Sequence, residues 1–152
     1  MGWKPRIVVA ALIEKEGKFL VVEEIVDNLR VINQPSGHLE ENETLTEAVR
    51  RETLEETGYI FEPSHLVGVI HLANPNSRRN FIRFCFTGEL LQKPANNELD
   101  PDIITTHWMT YEEILRAEKT TWRGPLVMES LDKYLSGQRY PLDLLSNLDL
   151  FI

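Results

Sequence analysis

The sequence predicts a single α/β domain in which helices pack on a mixed β-sheet. Its 152 residues are the length of one compact domain. Short apolar runs typical of strands alternate with two or three helical stretches, which is the order of elements found in α/β folds. No internal repeat, low-complexity segment or linker divides the chain.

The first part of the chain contains three strand-like runs. Residues 6–13 (RIVVAALI) are almost continuously apolar, which is typical of a strand buried on both faces. A turn over residues 14–17 and a second run over residues 18–26 (KFLVVEEIV) predict a hairpin. A short strand-like piece over residues 30–33 follows, and residues 34–37 (QPSG) predict a break in regular structure.

A helix is predicted from about Leu45 to Thr57. Thr44 and Glu47 form an S/T-x-x-E capping box, which satisfies two backbone donors at the start of a helix. The stretch contains no glycine or proline, and Gly58 is well placed to end it in the left-handed conformation.

Strands and helices continue to alternate in the rest of the chain. The predicted elements are strands over residues 65–73, 80–91 and 103–109 and helices over residues 111–117 and 125–135. Thr110 and Glu113 form a second capping box before the first of these helices. The tail over residues 140–152 is apolar enough to dock on the body of the domain.

The composition argues against several classes of protein. A net charge of −8 argues against a nucleic-acid polymer as partner, because phosphate backbones require a basic surface. No apolar run approaches the roughly 20 residues needed to cross a bilayer, and the N-terminus lacks the features of a signal peptide. The single cysteine, Cys85, excludes an intramolecular disulfide framework and is expected to be a packed thiol. We therefore expect a cytoplasmic monomer or homodimer.

Three glutamates share one side of the predicted helix. At about 100° per residue, Glu55 and Glu56 fall within about 60° of Glu52. The apolar residues of the helix lie on the same side: Leu45, Ala48 and Val49. Carboxylates held together on an inward side raise one another's pKa unless a cation neutralises them. Hard oxygen ligands of this kind suit Mg²⁺, or alternatively Mn²⁺, so the pattern favours a metal site.

A solvated helix face with salt-bridged glutamates is the alternative interpretation. Arg51 and Glu55 have the i,i+4 spacing of an ion pair, which fits that alternative. Acids on a solvated face should point away from the apolar residues, however, and these do not.

The spacing of the acids resembles the Nudix box, G-x5-E-x7-R-E-U-x-E-E-x-G-U, where U is aliphatic. The matching residues are Gly37, Glu43, Arg51, Glu52, Glu55, Glu56 and Gly58. Thr53 and Tyr59 depart from the commonest choices at the two aliphatic positions, which affects local packing and not the metal site.

The resemblance implies an α/β/α sandwich with a mixed sheet. It also implies a hydrolase of phosphoanhydride bonds in which a metal-activated water attacks phosphorus. The metal ligands that it implies are Glu52, Glu55, Glu56 and the backbone carbonyl of Gly37. Glu52 and Arg51 are the catalytic residues that it implies within the box, with Arg51 and Glu43 orienting the cluster.

Segments outside the box are similar to the NudJ phosphatase branch of this family. They include WMTYEEIL (108–115) and SGQRYPL (136–142), which lie far from the box. The similarity implies release of phosphate from nucleoside tri- and diphosphates, thiamine pyrophosphate or hydroxymethylpyrimidine diphosphate. Two alternatives stay open: a Nudix pyrophosphatase for ADP-ribose, nucleotide sugars or dinucleoside polyphosphates, for which Pro75 is a weak indication, and a non-catalytic phosphate-binding domain.

Several residues outside the box are candidates for the remaining roles. The resemblance places the water-activating acid in the loop before the last sheet strand, where Asp102 lies. Glu98 and Asp100 compete with it, and a turn-forming acid is an equally good interpretation of each. Arg83 could hold a terminal phosphate or form an ordinary salt bridge. His38 could also reach phosphate, and Phe81 could stack on a base. The weaker candidates are Arg6, Arg78, Arg79 and Arg123 for phosphate and Trp3 and Trp122 for stacking.

Overall fold

The computed structural model describes residues 3–74, 80–92, 99–118 and 123–148. The strands in these ranges are β1 (Arg6–Leu12), β2 (Glu14–Lys15), β3 (Lys18–Val26), β4 (Leu29–Asn33), β5 (Ser36–His38), β6 (Phe61–Leu72), β7 (Phe81–Leu90), β8 (Ile103–Met109) and β9 (Tyr140–Pro141). The helices are α1 (Leu45–Thr57), α2 (Tyr111–Glu118) and α3 (Gly124–Leu135), followed by a 3-10 turn over Leu142–Leu144.

The strands form two sheets. The larger sheet has five strands in the order β5-β1-β7-β6-β9. It is mixed, because β1 and β7 run parallel while the other neighbours are antiparallel. The smaller sheet has four strands and is antiparallel, with β3 paired to β2, β4 and β8. The predicted mixed sheet is therefore confirmed.

Helices cover both faces of the larger sheet. Alternate residues of β1 point to opposite faces, as expected for a strand. Val9, Ala11 and Ile13 pack in one core cluster with Ala48 and Val49 of α1. The opposite cluster contains Leu12 together with Ile114 of α2 and Val127 and Leu131 of α3. This arrangement confirms the predicted α/β/α sandwich, and it explains why the run over residues 6–13 is almost wholly apolar.

The predicted hairpin between the first two strand-like runs is wrong. β1 pairs with β5 and β7 in the larger sheet, and only the short β2 pairs with β3. The backbone N–H of Leu20 donates to the carbonyl oxygen of Ile13 at 2.9 Å, where the chain passes from one sheet to the other. The apolar pattern located each strand correctly, but long-range contacts selected its partners.

The termini of α1 are as predicted. The Thr44 hydroxyl accepts a hydrogen bond from the backbone N–H of Glu47 at 3.2 Å. In return, the Glu47 carboxylate accepts one from the backbone N–H of Thr44 at 3.4 Å. Gly58 ends the helix with a φ of 76°, and its N–H donates to the carbonyl of Leu54 at 2.9 Å. Thr53, at a usually aliphatic position, is fully buried and its hydroxyl donates to the carbonyl of Val49 at 2.7 Å.

Two other predictions need adjustment. The break predicted over residues 34–37 overlaps β5, which pairs with β1 through Val8 and His38. The strand predicted from residue 65 begins at Phe61, because the chain continues the ladder through a register shift at Pro63. The sequence pattern did not indicate this earlier start, because a proline usually argues against a strand interior.

The tail docks only in part. Leu142 and Leu145 pack against the core, whereas Leu144 and Leu148 are 63% and 84% exposed. The remaining apolar residues of the predicted tail, Leu150 and Phe151, lie outside the described residues. Cys85 is fully buried, as predicted for a packed thiol. Among the described helices, none has the length and apolar character that a membrane span requires.

Candidate active site

A cleft of about 940 Å³ opens beside the inner side of α1. The acids that line it include Glu24, Glu52, Glu56, Asp100 and Asp102. The basic residues that line it include Arg6, His38, Arg83 and Arg123. Groups of both signs therefore share one cavity, which suits a ligand that consists of a cation and a phosphate.

Glu52 lies at the base of this cleft against the backbone of β5. Its side chain is nearly buried, and the Cβ of any larger residue at position 37 would lie 2.0 Å from the Glu52 carboxylate carbon. Only glycine at position 37 leaves this space open. Burial raises the pKa of Glu52 to about 7, even though Arg51 acts in the opposite direction. Folding therefore holds a carboxylate where its charge is poorly solvated.

Glu56 lies one turn further along α1 and is more deeply buried. Its carboxylate accepts from the backbone N–H of Ser36 at 2.8 Å. Burial raises the pKa of Glu56 to about 9, and the charges of Glu24 and Glu52 add to the shift. A cation bound beside both carboxylates would reverse these shifts, because an opposite charge favours the ionised form.

Arg51 connects the helix to the loop before it. Its guanidinium donates to both oxygens of Glu43, at 3.0 Å from Nε and 2.7 Å from Nη2. It also donates to the carbonyl of His38 at 3.0 Å and to Glu52 at 2.8 Å. The hydrogen bonds to Glu43 are the main cause that raises the pKa of Arg51, so it stays charged. Arg51 therefore fixes the rotamer of Glu52.

Glu55 differs from the other two glutamates. Its side chain is 46% exposed and accepts from Arg51 at 3.2 Å, the i,i+4 pair of the alternative interpretation. The structure therefore brings Glu52 and Glu56 together in the cleft, whereas Glu55 does not line it. Within the described ranges, no three acidic, histidine or cysteine side chains are arranged to hold a metal as they stand.

Asp100 and Asp102 both line the cleft from the loop before β8. The backbone N–H of Asp100 donates to the carbonyl of Glu55 at 2.8 Å, which fixes this loop against the end of α1. The charge of Asp100 also contributes to the raised pKa of Glu52 and of Glu56. Asp102 is more exposed. Glu98, the third predicted acid, lies outside the described residues.

Arg83 is a buried cation on β7. It is 3% exposed, and its Nη2 donates to the amide oxygens of Asn33 at 3.2 Å and Gln34 at 2.5 Å. Burial lowers the pKa of Arg83, which reflects the cost of placing the charge there. No carboxylate in the described part of the chain forms an ion pair with it, and its Nε has no hydrogen-bond partner there.

His38 and Phe81 lie close together in the lining of the cleft. Their ring centroids are 6.4 Å apart, and the rings are inclined by 48°. Burial lowers the pKa of His38, and Arg6 and Arg123 act in the same direction. Trp3 instead packs its ring edge-on to His71 and does not line the cleft. The weaker candidates Arg78, Arg79, Trp122 and Pro75 lie outside the described residues.

The chain matches a known family. A family model described as the NUDIX domain matches residues 3–129. The chain belongs to the Nudix hydrolase family. It is 44% identical to Phosphatase NudJ of Shigella boydii serotype 4 over 145 residues, which are 95% of this chain and 93% of that protein.

Solved structures agree with this assignment. The Nudix hydrolase from Nitrosomonas europaea superposes with a TM-score of 0.88 at 40% identity and covers 95% of this chain and 98% of its own. The MutT protein from Methanosarcina mazei Go1 superposes with a TM-score of 0.67 at 28% identity, and the match covers 87% of this chain and 96% of that protein. The fold and the family predicted from the sequence are therefore confirmed.

Nudix hydrolases typically depend on a divalent cation, and the acidic donors of this cleft are of the chemical type that such a cation prefers. The nearby side-chain donors are carboxylate oxygens, which Mg²⁺ and Mn²⁺ prefer. Glu52 and Glu56 have raised pKa values that a cation would lower again. The missing side chain at Gly37 also allows its backbone and the Glu52 carboxylate to approach one another.

The sequence pattern did not indicate three polar residues of the cleft and its surroundings. Asn33 and Gln34 bind Arg83 from the end of β4, and Glu24 lines the cleft from the end of β3. The one available signal was that the buried run of β3 ends in two adjacent glutamates. Asn33 and Gln34 lay in a segment that was predicted only as an ordinary strand end and break.

Proposed function

We propose that this Nudix hydrolase is a metal-dependent phosphatase of small phosphorylated metabolites. Its substrates would be nucleoside tri- and diphosphates, thiamine pyrophosphate or hydroxymethylpyrimidine diphosphate. The observation that carries the proposal is one cleft that holds two buried carboxylates and a buried arginine with no ion-pair partner in the described chain. The similarity to Phosphatase NudJ over 95% of the chain supports the same conclusion.

The glutamates of α1 would hold the cation, which is Mg²⁺ or alternatively Mn²⁺. The proposed ligands are Glu52, Glu55, Glu56 and the backbone carbonyl of Gly37. When bound, the metal neutralises phosphate charge and activates water for attack at phosphorus. Arg51, which holds Glu52 and Glu43, would orient the ligands.

An acid of the loop before β8 would accept the proton of the attacking water. Asp102 is the position expected from the family resemblance. Asp100 is the second candidate, because its charge acts on both buried glutamates and its backbone is fixed against α1. A general base must lie within hydrogen-bond reach of the water, and both residues line the cleft.

The other lining residues would bind the substrate itself. Arg83 would donate to phosphate oxygens, because a buried guanidinium is stabilised by an anion. Burial lowers the pKa of His38, which favours its neutral form. Its ring and that of Phe81 would contact the organic part of the substrate. A cytoplasmic location, and a monomeric or homodimeric state, stay predictions.

A substrate panel with Mg²⁺ tests the proposal, with and without a chelator. We expect inorganic phosphate to be released stepwise from nucleoside triphosphates and the activity to disappear with the chelator. Release of AMP from ADP-ribose with triphosphates untouched would contradict the proposal and support the pyrophosphatase alternative. Binding of phosphorylated ligands without any turnover would support the non-catalytic alternative.

A further inference from the structure

A largely buried ion pair joins the two sides of the cleft. The Arg123 guanidinium donates to the Glu24 carboxylate, and the two side chains are 15% and 13% exposed. Glu24 lies near the end of β3, and Arg123 is the residue before α3, so the pair connects elements 99 residues apart in sequence. Both residues line the cleft.

The backbone of the smaller sheet is irregular where Glu24 lies. The pairing of β3 with β8 shifts its register between Glu23 and Glu24. Irregularities of this kind commonly redirect a side chain beside an active site. Glu23 instead pairs with Arg30 at 2.8 Å and His107 at 3.0 Å, and does not line the cleft.

The charge of Glu24 reaches both acidic and basic groups of the cleft. It acts on Glu56 among the acids and on Arg83 among the cations. The charge of Arg123 acts on Arg83 and on His38. The two arginines thus lie within electrostatic range of one another, and a second anion bound beside both would further offset their repulsion.

We infer that Arg123 and Arg83 together bind the free terminal phosphate of the substrate, and that Glu24 is a positioning residue that holds Arg123 in place. The inference rests on the proposed phosphatase function and names the substrate class within it. A guanidinium carries five N–H donors, so an arginine that binds a carboxylate can also donate to a phosphate. The conformation of Arg123 is fixed before the substrate binds, which lowers the entropic cost of binding.

This subsite selects for an uncapped phosphate. A free terminal phosphate carries nearly two negative charges at neutral pH, whereas a phosphate esterified on both sides carries one. Two arginines therefore favour ADP, with its free β-phosphate, over ADP-ribose, in which both phosphates are esterified.

Three variants test the subsite: Arg123→Met, Glu24→Gln and Glu23→Gln as the matched control on the other side of β3. The affinity for inorganic phosphate is measured by calorimetry without metal. KM and kcat are then measured with Mg²⁺ for ADP and for ADP-ribose. Arg123→Met should weaken phosphate binding and raise the KM for ADP by about tenfold or more, the loss expected for a charged hydrogen bond. It should lower the preference for ADP over ADP-ribose by a similar factor.

The positioning role predicts a smaller change in the same direction. Glu24→Gln should raise the KM for ADP about threefold to tenfold and leave kcat nearly unchanged, and Glu23→Gln should match the wild type. Arg123→Lys keeps the positive charge but loses the forked pair of guanidinium donors. Its phosphate affinity should therefore lie between those of the wild type and of Arg123→Met. If Arg123→Met does not fold, Arg123→Lys takes its place in the test.

The outcomes separate this inference from the proposed function. If the wild type releases phosphate and Arg123→Met has the same phosphate affinity and the same KM as the wild type, the subsite is overturned and the phosphatase proposal stays intact. Phosphate binding that depends on Arg123, without turnover of any substrate, supports the subsite and contradicts the phosphatase proposal. A wild type that does not bind phosphate also overturns the subsite.

Discussion

The first half of α1 buries apolar groups, whereas its second half buries carboxyl groups that can ionise. Thr44 and Glu47 satisfy the first turn, and Ala48 and Val49 are completely buried in the core. Half a helix later, Glu52 and Glu56 are buried instead, with pKa values raised to about 7 and about 9. One side of α1 therefore carries hydrophobic core residues in its first half and poorly solvated carboxyl groups in its second half.

The difference indicates that the two halves of α1 have separable roles. Burial of apolar groups and a complete capping box stabilise the domain. Burial of carboxylates destabilises it until a cation arrives, which is typical of functional sites. Substitutions in the second half should therefore reduce activity much more than stability, and substitutions in the first half should do the reverse.

The largest effect is expected for Glu52→Gln. Loss of this charge should lower the rate of phosphate release by about 10²-fold to 10⁴-fold, the range for a lost catalytic carboxylate. The folded structure should survive, because glutamine has the same shape and can still accept from Arg51. Glu41→Gln is the control on an exposed residue of the preceding loop and should leave the rate unchanged. An unchanged rate in Glu52→Gln would show that the metal site is assigned wrongly.

Gly37→Ala should separate activity from stability in the same way. The new methyl group would overlap the Glu52 carboxylate, so we expect a loss of activity of about 10-fold to 100-fold, as for disturbed support of a metal ligand. The loss of thermal stability should be small, because the Glu52 side chain can rotate away.

Gly17→Ala is the control for Gly37→Ala, because it should reduce stability and not activity. Gly17 has a φ of 78°, and no atom lies within 4 Å of the position that a methyl group would take, so alanine there is strained but contacts nothing. It should cost about 1 kcal/mol of unfolding free energy and leave activity intact. Equal activity losses in both glycine variants would refute the proposed role of Gly37.

The stability of the metal-free protein should depend on pH through the buried glutamates. The native pKa of Glu56 is about 9 against a usual value of 4.5, so the folded state binds its proton more tightly than the unfolded state does. The free energy of unfolding should therefore fall as pH rises from about 5 to about 9. Glu56→Gln should have a flatter dependence, measured by denaturant titration without metal.

Addition of Mg²⁺ should counteract this loss. Because the cation binds the ionised carboxylates, its stabilising effect on the wild type should be larger at pH 9 than at pH 5. Glu56→Gln should gain less than the wild type at pH 9. A wild-type stabilisation by Mg²⁺ that is the same at both pH values would contradict the role of Glu56 as a ligand.

The smallest effect is expected at the start of α1. Thr44→Ala removes the cap and should cost about 1 kcal/mol of unfolding free energy, with kcat unchanged. Thr44→Ser should restore most of the stability, because serine also accepts from the Glu47 backbone. A reduced kcat in Thr44→Ala, measured well below its melting temperature, would show that the two halves of α1 are coupled.

Local patterns predicted α1 accurately, because its caps and its apolar side are encoded within a few residues. They also located β1, β3 and β8, whose apolar runs are short and well bounded. They failed for the partner of β1 and for the start of β6, which lies at Phe61, before Pro63. In both cases pairing with β7 decided the outcome, and local patterns do not encode which strands pair.

The family of this protein, and with it the type of reaction, could be predicted from the sequence. The residues of the Nudix box lie within one loop and one helix, so their spacing alone indicates a shared role. Which groups share the cleft depends on the tertiary structure. Glu24, Arg83, Asp100 and Arg123 come from four separate parts of the chain, and no local spacing relates them. The burial of these groups, and hence the strength of the electrostatic interactions between them, depends on how those parts pack against one another.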